Sequence, residues 1–550
     1  MNEPEHLTVR SVLGGGPFAE IGEPCAVVRD DARGLVAVGG SVGDLYGTGR
    51  SVGGWHGDRV GVYEVGGLHC RLVVRTRWPV LGLAFHPHLP LLAIGTGAYD
   101  GGYFHEGELL LVDLADGTTV SALQDRREVR RVGWREDGRA LEVVVAPADD
   151  EADDSPETHG FAAVVERDDW GRVAPRSVSW TELSGPRVEA PHRPKGVKRA
   201  AREAVAALAA GLGLSWSPRC QVWAVEELAD GRMLAVLAGT KLECRLPSGV
   251  VEWTVPDPDG ARELHVSPGR TSAWIHVPRP NRWVDGAGWK DVPSTVERLS
   301  LDDGSTLDSV EIAFPAALTA GLDGRIALRD TRADKRKTPM VLLAPDGTPT
   351  AGPALGGYDS TNTYFAVRHS PELLFLQGGK KKYWQDKWVV AVDPAATSGG
   401  GGPTVRRLFP LEWDADRAGH LYGGPPVHLA GRDGSDPALV HAGAVHHGHG
   451  PQPGGVFVAR RRLPDGHPQW VFTADDQVTA LDSDPEGGTV FAAFTSGELV
   501  ALDAADGAPR WRTRLLVDGV PTTALSLVAP AAGRLLVGTV DGRVLVCEHR

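Results

Sequence analysis

The chain has 550 residues, 42% hydrophobic and 23% charged, and 71 acidic side chains against 57 Lys and Arg give a formal net charge of −14. That composition suits a globular chain with ample core, and the negative total argues against non-specific binding of nucleic acid or anionic lipid over the whole surface. The 70 glycines and 40 prolines are scattered rather than clustered, as many turns between short strands require.

The N-terminal stretch MNEPEHLTVR is acidic and has no apolar core, so no signal peptide is expected. No run approaches the apolar length of a membrane-spanning helix. Cys25, Cys70, Cys220, Cys244 and Cys547 form no CxxC pair and are odd in number, so a disulfide framework is not expected and a reducing, cytoplasmic setting is.

In chain order, HLTVRSVL from His6 reads as one isolated strand. A grammar of four short strands then sets in. Leu81 opens LGLAFHPHLPLLAIGTG, a loop AYDGGYFHEG, ELLLVDLADG and TTVSAL. These strands, a to d, are rich in Leu, Val and Ile and bounded by Gly, Pro and Asp. Ten such units begin near residues 25, 80, 128, 219, 263, 316, 363, 425, 477 and 520. In five of them strand c ends in an Asp-Gly turn: Asp116-Gly117, Asp303-Gly304, Asp346-Gly347, Asp465-Gly466 and Asp506-Gly507. Asp-Gly between strands is a strong hairpin signal, and its recurrence at one phase of a repeat makes it specific.

A repeat of roughly 40 to 60 residues built of four strands is the period of propeller blades. The expected fold is therefore an all-β propeller of about ten four-stranded blades, continuous over 1–550, as one large ring or two smaller ones. The last unit has strands a, b and c but no d, so the strand near His6 is expected to complete it and hide two sheet edges at once. One helical insertion, KRAAREAVAALAAGLGL, interrupts the repeat within 181–218 and marks a possible internal boundary.

The early units, with Leu83-Ala84-Phe85-His86-Pro87 and Val132-Gly133-Trp134, resemble WD-repeat blades. The late ones, with ELVALDAADGAPRW carrying Asp503, Gly507 and Trp511, resemble the quinoprotein (PQQ-like) repeat; Trp253 and Trp470 stand at similar places. The resemblance implies the propeller fold alone. Val112-Asp113 stands where Trp-Asp would, so the WD hydrogen-bond network is not carried over, and no cofactor is implied.

Successive strands alternate in direction, so the a–b and c–d turns share one face and the b–c and d–a loops the other. The long insertions are nearly all b–c loops. They carry Tyr46, Trp55, Tyr99, Tyr103, His105, Trp283, Trp289, Lys380, Lys381, Lys382, Tyr383 and Trp384, and exposed aromatics on loops of a rigid scaffold are favoured binding anchors. Each of these aromatics could instead cap the structure by packing on its neighbours.

Four sets of residues invite a chemical reading. His441, His446, His447 and His449 could chelate a metal, but no fixed Cys or carboxylate accompanies them and a solvated loop is the simpler reading, so no metal is expected. The Lys380–Lys382 cluster, with Lys387 and Trp388, could stack and neutralise a nucleic acid strand; with Lys335, Arg336 and Lys337 it suits an acidic protein partner better. Glu106 and Glu108 beside His105 could mimic a hydrolase cluster, yet nothing fixes a pair. Two GxSxG matches around Ser41 and Ser51 lack the following helix of a nucleophile elbow. The sequence therefore points to a non-catalytic scaffold that binds a protein partner through its b–c face. An enzyme or small-ligand binder using the loop face or a central channel is the alternative, and a nucleic-acid module a further one. Membrane insertion is not expected.

Overall fold

The computed structural model describes the chain apart from residues 1–6, 44–56, 100–104, 148–155, 193, 280–281, 285–287, 291, 332–337, 356–365, 379–386, 394–402, 412–419, 432–435, 448–449 and 464. The described chain is all-β apart from one α-helix and three short 3-10 turns. Nine antiparallel sheets of four strands and one of three follow one another along the sequence, with three two-stranded hairpins between their elements. Numbered 1 to 10, they begin at Glu23, Val80, Val129, Val222, Glu263, Ala316, Leu373, His420, Val478 and Ala524.

Burial is greatest in the second strands and least in the fourth. The second strands Leu91–Thr96, Ser272–Val277 and Thr489–Phe494 are buried at every position, which explains their unbroken apolar runs: both faces are covered. The fourth strands Val251–Pro256 and Pro509–Arg514 alternate; Trp511 is buried and Trp253 partly buried against the core. All five Asp-Gly turns form as their sequence requires. Gly117, Gly304, Gly347, Gly466 and Gly507 have φ between 72° and 86°, a region costly to any residue with a Cβ. Each preceding Asp accepts the backbone N–H two residues on, as in Thr118 to Asp116 at 2.8 Å and Ala508 to Asp506 at 2.9 Å.

The N-terminal strand Leu7–Leu13 pairs antiparallel with Val544–His549 and completes sheet 10, as expected. Unit 7 departs from expectation. Its sheet has three strands, and Arg368, expected in strand a, bridges instead in parallel to Val427 of sheet 8. His369 follows at φ 59° and turns the chain away.

The core lies between sheets. In sheet 10, Leu535, Val537, Leu545 and Cys547 pack towards sheet 9, while the alternating Leu536, Val544 and Val546 pack towards Val222, Val225 and Leu237 of sheet 4. This is the two-residue period of a strand covered on both faces. Each fully buried Val or Leu contributes about 1.5–3 kcal/mol. The same face-to-face packing links sheets 4 to 5, 5 to 6, 6 to 7, 7 to 8 and 8 to 9. Sheets 1, 2 and 3 form their own stack.

The helical insertion is α1 (Val197–Gly211), and it covers the face of sheet 1 that sheet 2 leaves open. Its buried stripe is Ala201, Val205 and Ala209, spaced four apart, and Val205 and Ala209 pack in one cluster with Val36, Val38 and Tyr63. At the other end of this stack, sheet 3 turns Arg131 and Glu142 to solvent, the polar outer face that a terminal repeat needs. A buried polar cluster joins sheets 1 and 10. Asp541 accepts from Thr522 Oγ1 at 2.6 Å and from Arg543 Nη2 at 2.6 Å, and Arg543 Nη1 reaches Glu20 Oε1 at 3.2 Å. Tyr63 Oη donates to Glu20 Oε2 at 3.2 Å.

Candidate binding cavity

The inner strands of sheets 4, 5, 6, 8, 9 and 10 and the segment 366–370 that leads into sheet 7 surround a cavity of about 380 Å³, within the size range of small-ligand pockets. Short-turn residues Pro268, Arg270, Leu322 and Ser370 also line it, so it reaches the face opposite the long b–c loops.

Cationic and imidazole groups outnumber acids in the lining. Arg262, His265, Arg270, Arg368 and His369 face Glu226 and Glu263, and both acids are engaged. Arg368 Nη2 donates to Glu226 Oε1 at 2.7 Å, and His276 Nδ1 lies 2.5 Å from Glu263 Oε2. Behind the wall Asp482 is fully buried; His369 Nε2 donates to its Oδ1 at 2.9 Å and the Ala529 N–H to its Oδ2 at 3.0 Å. Burial alone would raise the Asp482 pKa, but Arg368, His369 and the hydrogen bonds outweigh it and hold the carboxyl below its ordinary value. His265 is pushed down to about 4 by burial and then by the Arg368 charge, so at neutral pH it offers an uncharged imidazole whose buried Nε2 has no hydrogen-bond partner. Arg262 stacks over Trp223, with its guanidinium carbon 5.1 Å from the ring centroid.

The residues singled out from the sequence are distributed differently. Tyr46, Trp55, Tyr103, Lys380, Lys381, Lys382, Tyr383, Trp384 and His449 lie outside the described residues. Trp283 and Trp289 are directly opposed in a hairpin, Arg282–Val284 with Gly288–Lys290, inserted in sheet 5. Tyr99 and His105 are opposed in a second hairpin inserted in sheet 2. Tyr99 is exposed, but His105 is buried against Glu128 and is not part of an exposed binding face. His446 and His447 end the strand Ala438–His447. His441, read as part of a solvated loop, is buried in that strand and accepts from Arg461 Nε at 3.2 Å; burial pushes it down to about 3. Lys387 is likewise buried, its Nζ donating to the Leu421 carbonyl, because it heads an inner strand rather than a loop.

Sequence reasoning missed the cavity residues. Arg262 and His265 lie at the first strand of sheet 5, Arg368 in the segment before sheet 7 and Asp482 in the first strand of sheet 9, with no spacing that links the three places before folding. All five cysteines are free. Burial pushes the thiols of Cys25, Cys244 and Cys547 up to about 12 and that of Cys220 to about 11. No described helix is long and apolar enough to cross a membrane. No protein-family model matches the chain, and no curated protein matches it in sequence.

Proposed function

We propose that the chain is a propeller-type, non-catalytic scaffold: units 4 to 10 form a seven-bladed ring around the cavity, and units 1 to 3 form a side stack capped by α1. Its binding element is the cavity mouth on the short-turn face, and its occupant is an acidic segment of a protein partner in the cytoplasm. The observation that carries this reading is the convergence of Arg262, Arg270 and Arg368 on a cavity whose two lining acids, Glu226 and Glu263, are already paired. A cationic recess in a protein of net charge −14 stands out electrostatically and draws acidic groups selectively. The high thiol pKa values and engaged carboxylates support a binding rather than a chemical role.

Binding of fluorescent Glu/Asp-rich peptides, followed by anisotropy at low and physiological salt, tests this. The wild-type protein is expected to bind them in a salt-sensitive manner. The double variant Arg262→Glu/Arg270→Glu is expected to bind at least about tenfold more weakly with an unchanged thermal transition, and Lys380→Ala/Lys381→Ala/Lys382→Ala to bind normally. Undiminished binding by the arginine variant would overturn the cavity as the binding element.

A further inference from the structure

His105, Glu128 and His192 come from three separate places: the hairpin inserted in sheet 2, the entry to sheet 3 and the segment after the last strand of sheet 3. All three are more than nine-tenths buried. Each offers one ligand atom, and these atoms lie within 4.8 Å of one another. The backbone is shaped to admit the carboxylate. A Cβ at Gly97 would stand 2.2 Å from Glu128 Cγ, and one at Gly107 would stand 2.8 Å from Glu128 Cα, so only glycine leaves room at either position. Glu128 is anchored as well: its N–H donates to the His105 carbonyl at 2.9 Å, and its own carbonyl accepts from Ala146.

Its two oxygens have different partners. Oε1 takes Arg130 Nε, and that guanidinium is further held by the carbonyls of His159, Ala190 and Pro156 at 2.7, 2.8 and 2.7 Å. Oε2 faces both imidazoles, with His105 Nδ1 at 3.2 Å and His192 Nδ1 at 2.7 Å. The two ring centroids are 5.0 Å apart. As it stands the cluster leaves Nε2 of both His105 and His192 buried without a hydrogen-bond partner, a cost of about 1–3 kcal/mol for each such atom. Ligand atoms around a tetrahedral zinc, at bond lengths of about 2.0–2.1 Å, lie roughly 3.3–3.5 Å apart. The two Oε2 separations, 3.2 and 2.7 Å, are a little shorter than that spacing, and all three ligand atoms lie within 4.8 Å of one another, so small side-chain shifts would admit the ion. Tyr99 stacks at 5.0 Å on His105 and is itself exposed, which gives the cluster an edge near solvent.

We propose that His105, Glu128 and His192 bind one divalent metal ion of the zinc class, with one nitrogen from each imidazole, one carboxylate oxygen and water completing the shell. Two imidazoles and a carboxylate suit zinc, cobalt, nickel or copper rather than magnesium or calcium. The ion would tie the side stack together, since its ligands span sheets 2 and 3 and the segment leading to α1.

The test is a Co²⁺ titration of tag-free, chelator-stripped full-length protein, read by visible d–d absorption and competed with Zn²⁺. The wild type is expected to take one equivalent and to melt at a higher temperature when loaded. His192→Ala is expected to lose the signal, and Glu128→Gln to bind at least about tenfold more weakly. His446→Ala/His447→Ala/His449→Ala, which removes the other close set of histidines, is expected to keep it. No binding by the wild type, persistence in His192→Ala, or loss in the triple variant would each overturn the assignment. X-ray absorption on the zinc-loaded wild type decides the matter if the single variants do not fold: two imidazole ligands support the site, and any other number refutes it.

Discussion

The indole of Trp470 in sheet 8 lies over Gly507 in sheet 9. Its Nε1 donates to the Ala504 carbonyl at 2.9 Å, and a Cβ at Gly507 would stand 2.6 Å from the ring. The same relation recurs between Phe409 and Gly466 and between Trp253 and Gly304. An aromatic on the last strand of one sheet thus clasps the Asp-Gly turn of the following sheet, and the glycine serves both its own turn and its neighbour's ring. Gly507→Ala is expected to lose about 2–4 kcal/mol, from left-handed strain and overpacking together. Gly117 has a similar φ of 78° but open space around it, so Gly117→Ala should lose only the backbone part, about 1–2 kcal/mol. Urea unfolding of both variants measures the difference; equal losses would refute the clasp.

Asp541 and Arg543 hold the junction between sheets 1 and 10. Asp541→Leu leaves the Arg543 guanidinium buried without its main partner, and about 3–5 kcal/mol should be lost. Adding Arg543→Leu to that variant should recover part of the loss, because no unpaired charge then remains. Chemical denaturation of the wild type and the two variants provides the comparison.

The pH dependence of stability follows from groups held away from their ordinary values. His265 and His441 are depressed to about 4 and about 3, so between pH 6.5 and those values the unfolded chain takes up protons that the folded chain refuses. Stability should be full above pH 6.5 and fall as the pH drops, by up to about 1.4 kcal/mol per pH unit for each histidine. Asp482 and Asp541, both depressed, extend the loss below pH 4. Thermal melts across this range check the sign, and His441→Phe should flatten the upper part of the curve.

Removal of residues 1–13 leaves the Val544–His549 edge of sheet 10 unpaired. The expected outcome is a lower melting temperature together with concentration-dependent association, measured by light scattering. A monomeric truncated chain of unchanged stability would contradict the role given to this strand.

Much of this architecture was legible in the sequence because strands and turns carry local signatures. LLAIGT and TVFAAF read as strands from their apolar runs between turns, and the five Asp-Gly pairs marked the phase of the repeat; that both faces of these strands are covered came from the structure. The unpaired HLTVRSVL and the missing fourth strand of the last unit pointed to each other. The partner of each sheet face was not legible. Val222 and Leu536 meet across sheets 4 and 10, but both are generic apolar residues, and nothing in either selects sheet 4 over sheet 1. The cavity was hidden for the same reason, since Arg368 and Asp482 are over a hundred residues apart and each looks like an ordinary strand-end charge. His105 was visible but misplaced: burial beside Glu128 depends on Gly97 and Gly107 clearing the space, a steric fact with no sequence motif.

The pairing of Leu7–Leu13 with Val544–His549 also orders events in time. During synthesis, Leu7–Leu13 cannot form its hydrogen bonds until Val544–His549 has been made, so sheets 1 to 9 are all translated between the two partners. Sheet 10 also supplies the face on which sheet 4 packs, so that interface stays exposed until sheet 10 has been made. A product that lacks sheet 10 therefore presents the apolar face of Val222, Val225 and Leu237 to water, the kind of surface on which chains aggregate.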